Sequence, residues 1–265
     1  MPSEDEVRSP RGIQSVEVGG RLLLALAHVG RPLALKDLAQ EADMAPGKAH
    51  PYLVSFGKLG LIEQDAAGRY GLGPLALQLG LISLQQYDPV RLATPALIEL
   101  AQDTGHTASM ALWGNRGPTI VRIEEAPSAV HVHMRPGTVA SVRNTATGKV
   151  FAAFVGRELL LRALADEAGR DPSRPALRIE AKFAAELAEI RARGLSLAID
   201  STLPGISAMA APVFDISGRI VMGLTVIGPS MVFDSAPDAA LARTLRSTAQ
   251  ALSRRLGSPL PQPGV

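Results

Sequence analysis

The chain has 265 residues and a net charge of +2, and 46% of its residues are hydrophobic, which is ample for a packed core. It contains no cysteine, which excludes disulfides, thiolate zinc sites and a cysteine nucleophile. The start, MPSEDEVRSPRGIQ, lacks the basic and apolar regions of a secretory signal, and no apolar stretch approaches the roughly 20 residues of a membrane span. We therefore expect a globular, cytoplasmic protein with no membrane partner.

The N-terminal part of the chain has the pattern of a small helical unit. Residues 1–12 are expected to form a disordered arm, and residues 13–73 a folded domain. Residues 15–29 carry Leu22, Leu26 and Val29 at helical spacing. A second helix then buries Leu35 and Leu38, residues 43–46 form a turn, and Pro46 suits the first position of a third helix.

A predicted β-hairpin follows these helices. Leu61 and Ile62 begin a short strand, residues 65–68 are turn formers, and Arg69 and Tyr70 begin the returning strand. Two short helices followed by a hairpin are the order of a winged helix-turn-helix, in which the second of those helices reads the DNA major groove. The wing can carry Arg69 to a phosphate.

Local charge supports this interpretation better than the overall charge does. Residues 1–73 hold 8 Lys and Arg against 9 Asp and Glu, but residues 44–60 contain no acid. A solvated helix face that happens to be basic is the alternative. We predict a double-stranded DNA operator as partner, contacted by Lys48, His50, Tyr52, Ser55, Lys58 and Arg69.

Residues 74–87 are predicted to form a linker helix, PLALQLGLISLQQ, that is apolar enough to need a partner. Both a contact with a second copy and packing within its own chain remain open. Residues 88–257 form the second predicted domain, which begins with an amphipathic helix over residues 88–104 after the Asp88-Pro89 break.

The second domain mixes strands and helices, so the fold class is α+β with a mainly antiparallel sheet. Two hairpins are predicted, one turning at residues 115–117 and one at Gly218. Residues 258–265 are expected to be a disordered tail. Strands are predicted over 106–114, 118–126, 129–134, 195–199, 206–215 and 219–228, helices over 145–155, 157–167 and 179–193, and a loop over 171–175.

Three blocks in this order resemble the IclR family of bacterial transcriptional regulators over nearly the whole chain. They are RYGLGPLALQLG after the wing, NTATGKVFAAF at residues 144–154, and PGISAMAAPVFDISGRIVMGLTVIGP at residues 204–229. The resemblance implies a GAF-like effector-binding domain, assembly into dimers or tetramers, and control of DNA binding by a small organic molecule.

The resemblance also implies a pocket between the helix that starts at the second block and the closing strands. Position then makes Ile206, Ala208, Thr225 and Ile227 wall candidates. Helix starts attract anions, so Thr145, Ala146 and Thr147 could hold a carboxylate. These residue types favour an apolar or aromatic acid as the effector.

Asp200 is a further candidate for that pocket, because the family tends to place acids before its Pro-Gly pair. Its alternative role is to cap a turn with Ser201 and Thr202.

Two positions depart from the family pattern. Pro51 falls within the third helix, where proline costs roughly 3 kcal/mol or more, so that helix either starts late or is kinked. A late start would present His50, Tyr52 and Ser55 to the groove. Lys36 stands where the family usually has the Ser or Thr that caps a helix, a loss of about 1 kcal/mol.

The signals for catalysis or metal binding are weak. His131 and His133 share a strand face, which suits a polar surface, pocket lining or a metal site. Gly148-Lys149 lacks the other residues of a phosphate loop, and Ser207 has no nucleophile elbow. We predict no enzyme, cofactor or metal. The alternatives are an enzyme with an accessory winged domain and an interaction module that has lost DNA binding.

Overall fold

The computed structural model describes residues 12–85, 88–125, 135–169 and 179–258. The predicted third strand with His131 and His133 and the predicted loop at residues 171–175 lie outside the described residues, as do residues 1–11 and 259–265. The chain divides into two compact units, residues 1–87 and residues 88–265.

The first unit is a winged helix-turn-helix, as predicted. Its side chains pack into a single small core that contains Leu22, Leu38, Leu53 and Ile62. The bridge between Leu33 and Tyr70 ties the chain before the second helix to the wing. Its elements in chain order are α1 (Gln14–Val29), α2 (Leu35–Glu41), α3 (Pro46–Leu59), β1 (Ile62–Gln64), β2 (Tyr70–Leu72) and α4 (Pro74–Gln85).

The start of α2 differs from the prediction. Ala34 is its N-cap residue and makes no side-chain cap hydrogen bond, so Lys36 lies inside the helix rather than at the cap. The cap position is therefore Ala34, and the prediction that Lys36 occupies it was wrong. Burial of Leu38 and Ala39 against the rest of the unit holds this short helix in place.

The second unit is built on one five-stranded sheet in which every neighbouring pair is antiparallel, with strand order β4-β3-β7-β6-β5. The unit begins at Asp88, whose side chain accepts the N–H groups of Val90 and Arg91 and so caps the first helix. Its elements are α5 (Pro89–Thr104), β3 (Thr107–Gly114), β4 (Gly117–Glu124), α6 (Ala146–Phe154), α7 (Arg157–Glu167), α8 (Ala181–Arg193), β5 (Ser196–Ile199), β6 (Ile206–Phe214), β7 (Ile220–Pro229) and α9 (Ala240–Arg255).

Helices cover both faces of this sheet. Side chains of α5 and α9, among them Leu97 and Leu245, pack on one face with Met110 and Leu224. Helices α6, α7 and α8 form a second core that includes Phe151 and faces the other side. The predicted fold class, α+β with a winged helix-turn-helix and an antiparallel sheet domain, is confirmed.

Helix α9 was not predicted from the sequence. Its N-cap is Ala239, without a side-chain cap, so the usual start signal is absent. The buried residues Ala242, Leu245, Ala249 and Leu252 nevertheless have the spacing of an amphipathic helix. The domain therefore ends in a helix, whereas strands were expected to close it.

No helix in the described ranges is long and apolar enough to span a bilayer. The same part of the chain contains no group of three or more His, Asp or Glu side chains placed to hold a metal ion.

Candidate functional site

Helix α3 presents a sharply divided surface. Ala49 and Leu53 are buried in the core, with Tyr52 and Phe56 packed beside them. His50, Ser55 and Lys58 are exposed on the other side, as is Lys48 near the start. The helix contains no acidic side chain, so its exposed side can approach a phosphate backbone without repulsion.

The helix does not start late. Pro46 occupies its first position, and Ala45 accepts the N–H groups of Lys48 and Ala49, so Pro51 lies inside the helix. That outcome contradicts the late-start alternative. Because proline has no N–H, the carbonyl of Gly47 has no backbone donor four residues later.

Tyr52 lies in a different environment from the other predicted DNA contacts. Its ring packs on α1 at Gly19, where a Cβ atom would come within 2.8 Å of the ring. Glycine therefore allows α1 and α3 to approach closely. The ring is half-buried, so it contributes to the core of the unit.

The wing is a short hairpin with a fixed arginine. One oxygen of the Asp65 carboxylate accepts the backbone N–H groups of Ala67 and Arg69, both at 2.9 Å. The other oxygen accepts Arg69 Nε–H at 2.7 Å. The backbone hydrogen bond and the guanidinium of Arg69 hold the pKa of Asp65 below its usual value. The side chain of Arg69 remains 54% exposed at the wing.

A cavity of about 350 Å³ lies in the second unit, between the start of α6 and the strands that face it. It falls within the usual volume range of small-molecule sites. The described residues that line it are without exception apolar or hydroxyl-bearing. They are Ile120, Thr138, Val139, Ala140, Ser141, Thr145, Ala146, Thr147, Ala198, Thr202, Leu203, Ile206, Ala208, Thr225 and Ile227.

The start of α6 is the most polar part of this lining. Thr145 is the N-cap residue; its hydroxyl accepts the N–H of Gly148 at 2.9 Å and donates to the Ser141 carbonyl at 2.7 Å. Beside it, the hydroxyls of Thr147 and Thr225 form a buried hydrogen bond of 2.8 Å. A first helical turn carries N–H groups without intrahelical partners, so this end of the cavity favours an anion.

Gly148 explains why the start of α6 can lie so close to the preceding loop. A Cβ atom at this position would lie 1.9 Å from the Ser141 carbonyl oxygen, which no side chain can tolerate. The following residue, Lys149, is nearly buried and pairs with Glu186 of α8 at 2.6 Å. Gly148 and Lys149 thus fix α6 in place, and neither forms a phosphate loop.

Comparison with known proteins matches both units to one family. The family model "Bacterial transcriptional regulator IclR C-terminal" matches residues 82–254, and the model "IclR helix-turn-helix domain" matches residues 15–66. The chain belongs to the IclR family of bacterial transcriptional regulators. The resemblance stated from the three sequence blocks is confirmed.

Relatives of this IclR-family chain support the same conclusion. The glycerol operon regulatory protein of Streptomyces griseus is 33% identical over 94% of this chain and 98% of its own length. The regulator BhcR of Paracoccus denitrificans is 28% identical, over 87% of this chain and 83% of its own length. The crystal structure of Pseudomonas aeruginosa HmgR has a TM-score of 0.81 and 37% identity, and the match covers 93% of this chain and 99% of that one. The curated relatives are transcriptional regulators, and this chain is a regulator rather than an enzyme.

Seven of the eight predicted effector residues of this IclR-family regulator line one cavity. They are Thr145, Ala146, Thr147, Ile206, Ala208, Thr225 and Ile227. Their role in binding an effector stays a prediction.

Asp200 was predicted to belong to the effector pocket, but it is not among the residues that line the cavity. One oxygen of its carboxylate accepts the Gly205 N–H and the Ser230 hydroxyl, both at 2.8 Å, and its backbone has a positive φ of 49°. It therefore closes the turn between β5 and β6, close to the alternative role given for it.

Part of the cavity rim, residues 138–141 and Leu203, was not predicted from the sequence, because these residues lie in loops without periodicity.

Proposed function

We propose that this transcriptional regulator binds an operator through α3 and the wing, and that an apolar or aromatic carboxylic acid in the cavity of the second unit changes its operator affinity. The cavity is the observation that carries the effector half of the proposal. The winged helix-turn-helix with its acid-free α3 carries the DNA half.

The DNA half rests on the arrangement of charge. Lys48, Lys58 and Arg69 are exposed on α3 and the wing, which suits contacts to phosphate oxygens. His50 and Ser55 are exposed on the same helix, and both are polar side chains that can hydrogen-bond to base edges. The glycerol operon protein's name describes control of an operon, in keeping with an operator as partner.

The effector half rests on the chemistry of the lining. Apolar walls remove an apolar or aromatic body from water, at about 25 cal/mol for each Å² buried. Without a described acidic or basic side chain in the wall, a single carboxylate has one favourable place, the start of α6. The Thr147 and Thr225 hydroxyls beside it share one hydrogen bond, so the hydroxyl that accepts in that bond can donate its own hydrogen to the same carboxylate.

Self-association is the third part of the proposal, with α4 as the contact. Among its described residues, four large apolar side chains are exposed in the single chain, namely Leu77, Leu79, Leu81 and Ile82. A helix that exposes so much apolar surface favours a second copy as its partner. Leu77→Asp is expected to weaken the dimer or tetramer in sedimentation analysis. Leu159→Asp, at an exposed leucine of α7, is the matched control and should leave the assembly intact.

The effector can change operator affinity only to the extent that it binds one arrangement of the regulator more tightly than another. Coupling of this kind is typically about 1 to 3 kcal/mol, or roughly 5- to 150-fold in affinity. An effect of this size is readily measured by titration with labelled DNA.

The test is binding of the intact protein to the DNA upstream of its own gene, across a salt series and with a panel of aromatic and short-chain carboxylic acids. We expect sequence-specific, salt-dependent binding that at least one acid weakens or strengthens. Failure to bind any sequence would contradict the DNA half. If Pro51→Ala then restored binding, the interaction module that has lost DNA binding would be supported instead.

A cavity-filling variant tests the effector half separately. Ala208→Leu places a larger side chain on the cavity wall, so it should abolish the response to the acid while operator binding persists. Ala184→Leu makes the same change on the exposed side of α8 and should respond normally. An unchanged response in Ala208→Leu would show that the acid acts elsewhere.

A further inference from the structure

The exposed face of α3 has an apolar centre. Pro51, Val54 and Lys58 are three and four residues apart, which places them together on one side of a helix. Val54 is 44% exposed, although valine is usually buried, and Pro51 is exposed as well. Gly47, one turn before Pro51, adds no side chain to this face. Between Gly47 and Lys58, the middle of the predicted reading surface thus lacks a side chain that donates or accepts a hydrogen bond.

Two polar side chains of α3 lie at the sides of that face, and Lys58 lies at its C-terminal end. His50 and Ser55 flank it on opposite sides, by the 100° rotation between successive helical residues. The Ser55 hydroxyl donates to the Pro51 carbonyl at 3.0 Å, so its hydrogen is already engaged. Hydrogen bonds from α3 therefore favour the edges of the surface, and its centre favours an apolar contact.

The surroundings of Val54 favour DNA over a protein partner for this patch. Residues 44–60 carry Lys48 and Lys58 and no acid, so the apolar centre is bordered by cationic side chains that complement phosphates. The major groove offers one apolar feature on its base edges, the 5-methyl group of thymine. A small branched side chain such as valine matches that group in size.

We propose that Val54 is a specificity-determining residue that contacts the 5-methyl group of a thymine in the operator, with Pro51 on the same face. This inference rests on the proposed function, since it requires operator binding through α3. It also gives Pro51 a role in the reading surface, because its ring adds apolar area where a side-chain donor is absent.

Replacement of thymine by deoxyuridine tests the inference, because it removes only the methyl group. A duplex selected from a random-sequence pool by the intact protein is resynthesised with single thymines replaced in turn. We expect at least one position to lose about fourfold in affinity, the equivalent of burying one methylene-sized group. Val54→Ala should bind the thymine duplex more weakly by a similar factor and lose no further affinity at that position.

Val232→Ala is the matched control, since it makes the same truncation at a 70% exposed valine of the second unit. It should keep both the affinity and the deoxyuridine sensitivity of the natural protein. If Val54→Ala retains the full deoxyuridine sensitivity, or if no thymine position matters although the duplex binds, the inference is wrong and operator binding stands. If the intact protein selects no duplex at all, the proposed DNA binding fails, and the inference fails with it.

Discussion

Two hairpins in this protein carry the same sequence pattern, Asp-x-x-Gly-Arg, at residues 65–69 and 215–219. In each, one aspartate oxygen accepts two backbone N–H groups, two and four residues later. Gly68 and Gly218 have φ angles of 74° and 70°. The same five-residue pattern thus builds the same turn in two unrelated settings.

The two hairpins differ in what surrounds them. The first joins two strands of three residues beside α3, and its arginine pairs with Asp65 at 2.7 Å. The second joins β6 and β7, inner strands of the five-stranded sheet, and its Arg219–Asp215 distance is 3.4 Å. Local sequence therefore determines the turn, whereas the neighbouring elements determine whether the turn can serve as a DNA-binding wing.

The largest expected effect is a loss of stability in the second unit when the glycine of its hairpin is replaced. Gly218→Val forces a β-branched residue to a positive φ, which should destabilise the second unit by about 1 to 3 kcal/mol. Trp113, the only tryptophan of the chain, lies in β3 and reports unfolding of that unit by fluorescence in urea.

Gly68→Val is the matched change in the wing and should leave the Trp113 transition in place. Gly218→Asn, with a residue that tolerates positive φ, should recover most of the lost stability. Equal shifts of the Trp113 transition in Gly68→Val and Gly218→Val would show that the two hairpins do not belong to independent units.

The next effect is on DNA affinity, and it distinguishes Arg69 of the wing from Arg219 of the second hairpin. Arg69→Ala should weaken operator binding by roughly 1 kcal/mol and reduce the salt dependence of the binding constant, because a phosphate contact is lost. Arg219→Ala removes the same charge from the matching turn and should leave both quantities unchanged. Similar losses in the two variants would mean that overall charge, rather than the wing, accounts for binding.

The smallest effect concerns pH. Because the folded pKa of Asp65 is depressed, its contribution to wing stability is present above the unfolded value, roughly 3.9, and is lost as pH falls through the folded pKa. An NMR titration of the Arg69 Nε resonance should show a midpoint below that unfolded value. Asp65→Asn should abolish this transition, and a midpoint at or above 3.9 would contradict the ion pair.

The hairpins also show what sequence can predict about this fold. Both turns were predicted correctly, since glycine and aspartate at fixed positions determine a turn locally. Helix α9 was missed although its apolar spacing is regular, because no capping residue marks its start at Ala239. The start of α3 was uncertain because Pro51 argues against a helix interior, whereas Pro46 at the first position and the packing of Leu53 decide the outcome.

In the candidate sites, too, local sequence predicted some positions, whereas others depend on the folded chain. Positions two residues apart on β6 and β7, such as Ile206 with Ala208, could be placed on one sheet face from sequence alone. The loop at residues 138–141 could not, since only the folded backbone brings it over the cavity. Asp200 was misplaced because its partners, Gly205 and Ser230, become neighbours only when the strands pair.

The most direct test of effector control uses the reciprocity of coupled binding. If an acid lowers operator affinity by some factor, the operator must lower the affinity of the regulator for that acid by the same factor. Calorimetric titration of the intact protein with the acid identified by the panel, with and without saturating operator, measures this second factor. Matching factors of about 5- to 150-fold are expected, and Ala208→Leu should show none. Acid binding with the same affinity in the presence and absence of operator would contradict the proposal that the cavity controls DNA binding.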